Sequence, residues 1–401
     1  MYDLVFAANP ALDSALAEPE GLPPALAQRL RQAPLTALTQ AYQMAREHHA
    51  RGLVLCGQIL APLRASPAQV VAVRRLILEA AATGCETVWV TTDATAPREL
   101  LRILGEPEGL GFATPLTPWT ATIRAATVEL WAVAAADDTE RATASAAATA
   151  LHRRILVGGD SGLEPHAAAQ RVLPASVLNW PNTLAVWATA TNTTLPAGVL
   201  RLPTLQPRSR QAVGAGAYGL TLYQPSEAAD NTGKTARQSD GWHRLPTEQV
   251  CWRSLQVESA DGDAAAVAEQ LWEVLSPPAA TAAHPAPATP PEPLTLVDCQ
   301  IACGTSIERR IEIGASAAEA TRLLRERCAA AAPTIWCERI AASADESLAA
   351  LGHSRSGGQP GTSNSFTSAL ADIVTEKEVG GGSDSCDREA AWLALELLEA
   401  D

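Results

Sequence analysis

The chain lacks several features that would each point to a function class. No apolar run approaches the ~20 residues needed to cross a bilayer, and the opening Met1–Ala8 has neither the basic start nor the cleavage pattern of a secretory signal. Its eight cysteines include no Cys-x-x-Cys pair, so the spacing predicts reduced core thiols in a cytoplasm rather than a disulfide framework. Cys299 and Cys303 could form only half of a zinc site, with no second pair nearby. The seven histidines show no i, i+4 pair. His48 and His49 fall at a helix end, where an imidazolium interacts favourably with the dipole. Aromatic residues make up only 4% of the chain. The formal net charge of −14 argues against a surface that binds phosphate backbones unaided. Arg201, Arg208 and Arg210 are the one local basic segment that could contact nucleic acid.

What is present is an Ala-rich globular chain. With 401 residues and 47% hydrophobic content, it is long enough for two or three domains with a large buried core. Short apolar runs alternate with helical patterns through the first half. Leu4–Ala8, Gly52–Cys56 and Thr87–Thr91 read as strands, with helices over Ala25–Arg46 and Ala68–Ala82 between them. That alternation predicts βα units and sheets covered on their faces. Later runs, Val128–Ala135, Arg154–Val157 and Leu184–Ala188, add a second set of strands. Gly216–Tyr223 is expected to pair with Gln249–Val257 across the polar stretch Pro225–Asp240, a loop by composition. Residues 276–293 are Pro/Ala-rich and read as a linker. Beyond it, Leu294–Ala302 and Ser306–Ile313 are expected strands, Ala317–Ala331 a helix and Thr334–Ala342 a further strand. Gly/Ser-rich loops then precede a final amphipathic helix, Arg388–Leu398.

Three fragments mimic catalytic motifs without their context. Gly158–Gly162 matches the loop around a protease serine, but no base and oxyanion hole accompany it, and a strand-ending turn is the preferred reading. Thr232–Thr235 ends like a phosphate-binding loop, yet Ala228 stands where that loop needs glycine. Asn192–Thr194 is a glycosylation sequon without a secretion signal.

Met1–Ser14, Leu55–Ile59 and Leu184–Thr191 carry a more extensive likeness, and Leu202–Arg210 leading into Gly216–Tyr223 extends it. In order and spacing these segments resemble the calcineurin-like metallophosphoesterases. The closest branch is the nuclease subunit of SbcCD-type DNA-repair complexes. The resemblance implies a sandwich of two mixed sheets flanked by helices over residues 1–275. Residues 276–293 follow as linker, then a small α+β capping domain over 294–401. The family reads Asp-x-His after its first strand, Gly-Asp after its second and Gly-His-x-His late in the domain, ligands for two manganese or similar dications. Here those positions hold Asn9 and Ala11, Gln58, and Thr189 and Thr191.

A two-metal site orients phosphate, generates hydroxide and neutralises charge, and it needs several carboxylates and imidazoles. Ala11 offers no ligand atom, and the hydroxyls of Thr189 and Thr191 are poor ligands for transition metals. Of the acidic residues near these segments, Asp13, Asp93 and Asp160 survive, and turn or cap roles are the plain reading for Asp93 and Asp160. The expectation is a pseudoenzyme with no cofactor. It would serve as a scaffold beside an SMC-like ATPase, a paralogous nuclease or a second copy of itself, and would meet DNA only indirectly. The competing expectations are an active exonuclease rebuilt around the surviving aspartates, and a non-catalytic nucleic-acid-binding module.

Overall fold

The computed structural model describes residues 1–60, 64–144, 152–159, 173, 182–189, 194–208, 215–222, 241–258, 263–276, 292–302, 307–332 and 334–343. The sequence alternation translates directly into the first elements. Strand β1 (Leu4–Ala8) is followed by α1 (Pro24–Glu47), β2 (Gly52–Cys56), α2 (Pro67–Ala81), β3 (Glu86–Val90), α3 (Ala96–Leu104) and β4 (Leu110–Ala113). These four strands run parallel in that order, and β10 (Ala217–Thr221) and β11 (Gly241–Leu245) extend the sheet antiparallel beyond β1. The second sheet has the order β5 (Trp119–Ile123), β6 (Ala126–Ala132), β7 (His152–Gly159), β8 (Thr183–Ala188) and β9 (Val199–Leu202). Only its first pair is antiparallel. Helix α4 (Ala136–Ala144) lies between β6 and β7 in the chain.

The chain is thus α/β, with mixed sheets flanked by helices. Strands covered on both faces must be apolar nearly throughout, and β1 is Leu-Val-Phe-Ala-Ala for that reason. Val5 and Ala7, with Leu53, Leu55 and Trp89, face α1 and α2 through Leu38, Tyr42 and Ile77. Leu4, Phe6 and Ala8 face the second sheet, meeting Leu130, Val157, Val186 and Leu202. The far side of that sheet buries Trp131, Leu156 and Trp187 with Ala142 of α4. Each fully buried side chain of this size contributes about 1.5–3 kcal/mol.

Three sequence expectations are corrected here. The partner of β10 is Gly241–Leu245, not Gln249–Val257. The latter segment lies largely in β12 (Val250–Glu258), which pairs in parallel with β13 (Leu294–Ala302); β13 in turn pairs with β14 (Ile335–Ser343). Antiparallel partners can follow at once, whereas parallel partners need a long crossover, here α5 (Ala264–Leu275) and α6 (Ile307–Ala331). The same constraint makes Ser306–Ile313 mostly the first part of α6 rather than a strand. The third sheet is consequently all-parallel α/β instead of α+β. It draws on segments from both sides of residues 276–293. The expected loop 225–240, most of the linker and the final helix lie outside the described residues.

One helix joins the third sheet to the first. Toward its C-terminal end, α1 buries Ala37, Leu38, Ala41, Tyr42 and Ala45 against the first sheet. Earlier along it, Leu30 and Ala33 bury with Leu16, Val250, Leu294, Leu296 and Trp336. Arg325 of α6 adds a polar tie, donating to the carbonyls of Cys337 and Glu338 at 2.8 and 2.7 Å and to that of Glu20 at 3.4 Å.

The β5–β6 hairpin turns on two residues, Arg124 and Ala125, with φ 48° and 65°. Such a turn favours Asn-Gly, because non-glycine residues are strained at positive φ. Arg124 is held there by its 2.7 Å bond to buried Asp3. Ala125 is exposed and only carries the strain. Ala125→Gly is expected to stabilise the protein by about 0.5–1 kcal/mol, read as a higher urea midpoint with an unchanged slope.

Candidate functional site

The candidate site is built where β1 and β2 end. Beyond their last paired residues the two chains stay in register through single hydrogen bonds. Asn9, Ala11 and Leu12 N–H donate to the carbonyls of Cys56, Gln58 and Ile59 at 2.8–2.9 Å. To keep that course the backbone turns left-handed at two non-glycine residues, Asn9 (φ 45°) and Ala11 (φ 40°). Gly57 takes φ 75° opposite them. A Cβ on Gly57 would fall 1.9 Å from Asn9 Oδ1, so the Asn9 carboxamide occupies the space a side chain would need. That same oxygen accepts the Gln58 N–H at 3.1 Å. Asn9 is therefore committed to the backbone of the neighbouring loop.

Three further side chains hold the loop. Gln69 Nε2 donates to the Leu12 carbonyl at 2.5 Å, while Gln69 also completes the capping box with Ser66 at the start of α2. Gln58 Nε2 reaches Asp13 Oδ2 at 3.5 Å, the limit of a hydrogen bond. Arg208 does most. Its guanidinium donates to the carbonyls of Ser14 at 2.8 Å and Pro10 at 3.1 Å, and to that of Ala11. Burial pulls Arg208 below the ordinary arginine pKa range, and the Asp13 charge opposes that pull. Arg208 Nε and Asp13 Oδ1 are both buried without a hydrogen-bond partner.

The segment before Arg208 connects the two sheets. Thr189, at the end of β8, donates its N–H to the Leu202 carbonyl at 3.0 Å. Two residues on, Thr204 bridges to Ala8, and Leu205 N–H donates to the Ala8 carbonyl at 2.7 Å. Residues 202–205 thus lie between Thr189 on one side and the end of β1 on the other. Gln206, almost fully buried, carries the tie onward. Its side chain bonds both N–H and carbonyl of Val250, at 3.2 and 2.9 Å, and the Gln249 N–H at 2.8 Å.

The positions named from sequence divide accordingly. Asn9, Ala11, Gln58 and Asp13 come together, with Thr189 across the 202–205 segment. Thr191, Asp160 and Arg210 lie outside the described residues. Asp93 stands in the turn after β3 and accepts the N–H and hydroxyl of Thr95, both at 2.8 Å, a local cap just ahead of α3. It lines a cleft shared with Gly57, Gln58, Trp89, Thr91 and Glu99. Arg201 is half-buried on β9 opposite Trp187, and Arg208 turns inward to loop carbonyls. From sequence, Gly57 is marked only as the residue before Gln58, and Gln69 and Gln206 are missed, because their type carries no chemical signature.

No protein-family model matches this chain, and no curated protein matches it.

The donor set can be tested against a dinuclear metal centre on its chemistry. It consists of one committed carboxamide, one neutral amide and one carboxylate beside a guanidinium. Among the described residues no group of three or more His, Cys, Asp or Glu side chains could hold a metal ion. The described residues do not fit such a centre.

Gly57→Ala is expected to destabilise by roughly 2–4 kcal/mol, combining the left-handed backbone with expulsion of the Asn9 carboxamide. Arg208→Met leaves three loop carbonyls without their donor and Asp13 without its counter-charge. Its expected cost is also roughly 2–4 kcal/mol, measured by chemical denaturation. For Asp93, the Thr95 N–H, then the Thr95 hydroxyl, hold the carboxyl below the usual aspartate range. Its stabilisation is therefore in place above the ordinary aspartate pKa and fades as pH falls through the lower folded value. An NMR titration should find Asp93 titrating below ordinary aspartates, and Thr95→Ala should move it back up.

Proposed function

We propose that this chain is a catalytically inactive relative of the calcineurin-like metallophosphoesterases, of the SbcD-type branch, acting as a scaffold or regulatory subunit. The observation that carries this reading is the backbone at Asn9 and Ala11. Left-handed conformations cost non-glycine residues about 1–2 kcal/mol each, and such strain concentrates where function has required it. Here it serves no chemistry: Asn9 caps a neighbouring N–H and Ala11 has no functional group. The two positions coincide with those at which the resemblance implies a bridging carboxylate and an imidazole. A loop shaped to aim metal ligands, with the ligands replaced and the shape kept by Arg208 and Gly57, accounts for both facts.

The two packed mixed sheets are compatible with the phosphoesterase sandwich. The partner this reading implies is an SMC-like ATPase, with a paralogous nuclease or a second copy as further candidates. The competing idea, catalysis rebuilt around Asp13, Asp93 and Asp160, draws little support. Asp93 is engaged in capping Thr95, and Asp13 faces a guanidinium that repels a dication.

The test is metal content by mass spectrometry after manganese soaking, paired with turnover of a chromogenic phosphodiester. Substoichiometric metal and no turnover are expected; a stoichiometric metal pair with turnover overturns the proposal. Co-expression with the ATPase should retain the full chain on the tagged partner, and failure to do so removes the scaffold part alone.

A further inference from the structure

We draw no further inference here: the strongest candidate, the buried and unpartnered Asp13 Oδ1 and Arg208 Nε at the end of β1, belongs to the site already described.

Discussion

Everything around the candidate site depends on the burial of β1. Its five residues are at most 1% exposed, pressed between the helices on one face and the second sheet on the other. A strand so placed admits no polar side chain without a partner and no slip in register, since a one-residue shift would exchange its two faces. Its pairing with β2 on one side and β10 on the other is therefore rigid. The end of β1 is delivered to a fixed point beside the end of β2. The loop that follows inherits that rigidity and bends to it at Asn9 and Ala11.

The loop is held by polar interactions rather than by packing. Its carbonyls converge on the one guanidinium of Arg208, and its first side-chain amide closes over a glycine. Buried carbonyls left without donors are costly; Arg208 supplies those donors, and although burial pulls it below its ordinary pKa range it keeps its charge at any physiological pH. The resulting constellation is nearly neutral and engaged with itself. Carboxylates clustered at this point without dications would repel each other and suffer desolvation. Asn9 and Gln58 are stable in the same positions because the Asn9 carboxamide accepts the Gln58 N–H and the Gln58 amide reaches Asp13.

The third sheet shows how the local and the long-range parts of the fold separate. Gln249–Val257 alternates like any strand, and nothing in its residues says whether its neighbour is β10 or β13. Gln206 decides it in part by capturing Gln249 and Val250 at the base of the third sheet. The stretch Ser306–Ile313 is rich in isoleucine, which favours strands locally. It becomes helix because β13 and β14 are parallel and the chain must cross between them. Arg208 was legible only as a positive charge; that it points inward depends on carbonyls nearly 200 positions earlier.

The amino-acid sequence by itself determined the apolar runs of β1, β2 and β3, the periodic helices between them, and the identities of the residues at the strand ends. Those follow from short-range alternation and from which side chains can coordinate, donate or accept. Only the tertiary structure decided which strands became neighbours, which oxygen of Asn9 met which N–H, and that Arg208 closes the loop instead of a surface. The reason is that hydrogen bonds across 49 residues (Asn9 to Gln58) and 198 residues (Arg208 to Pro10) depend on loop closures that no local pattern encodes.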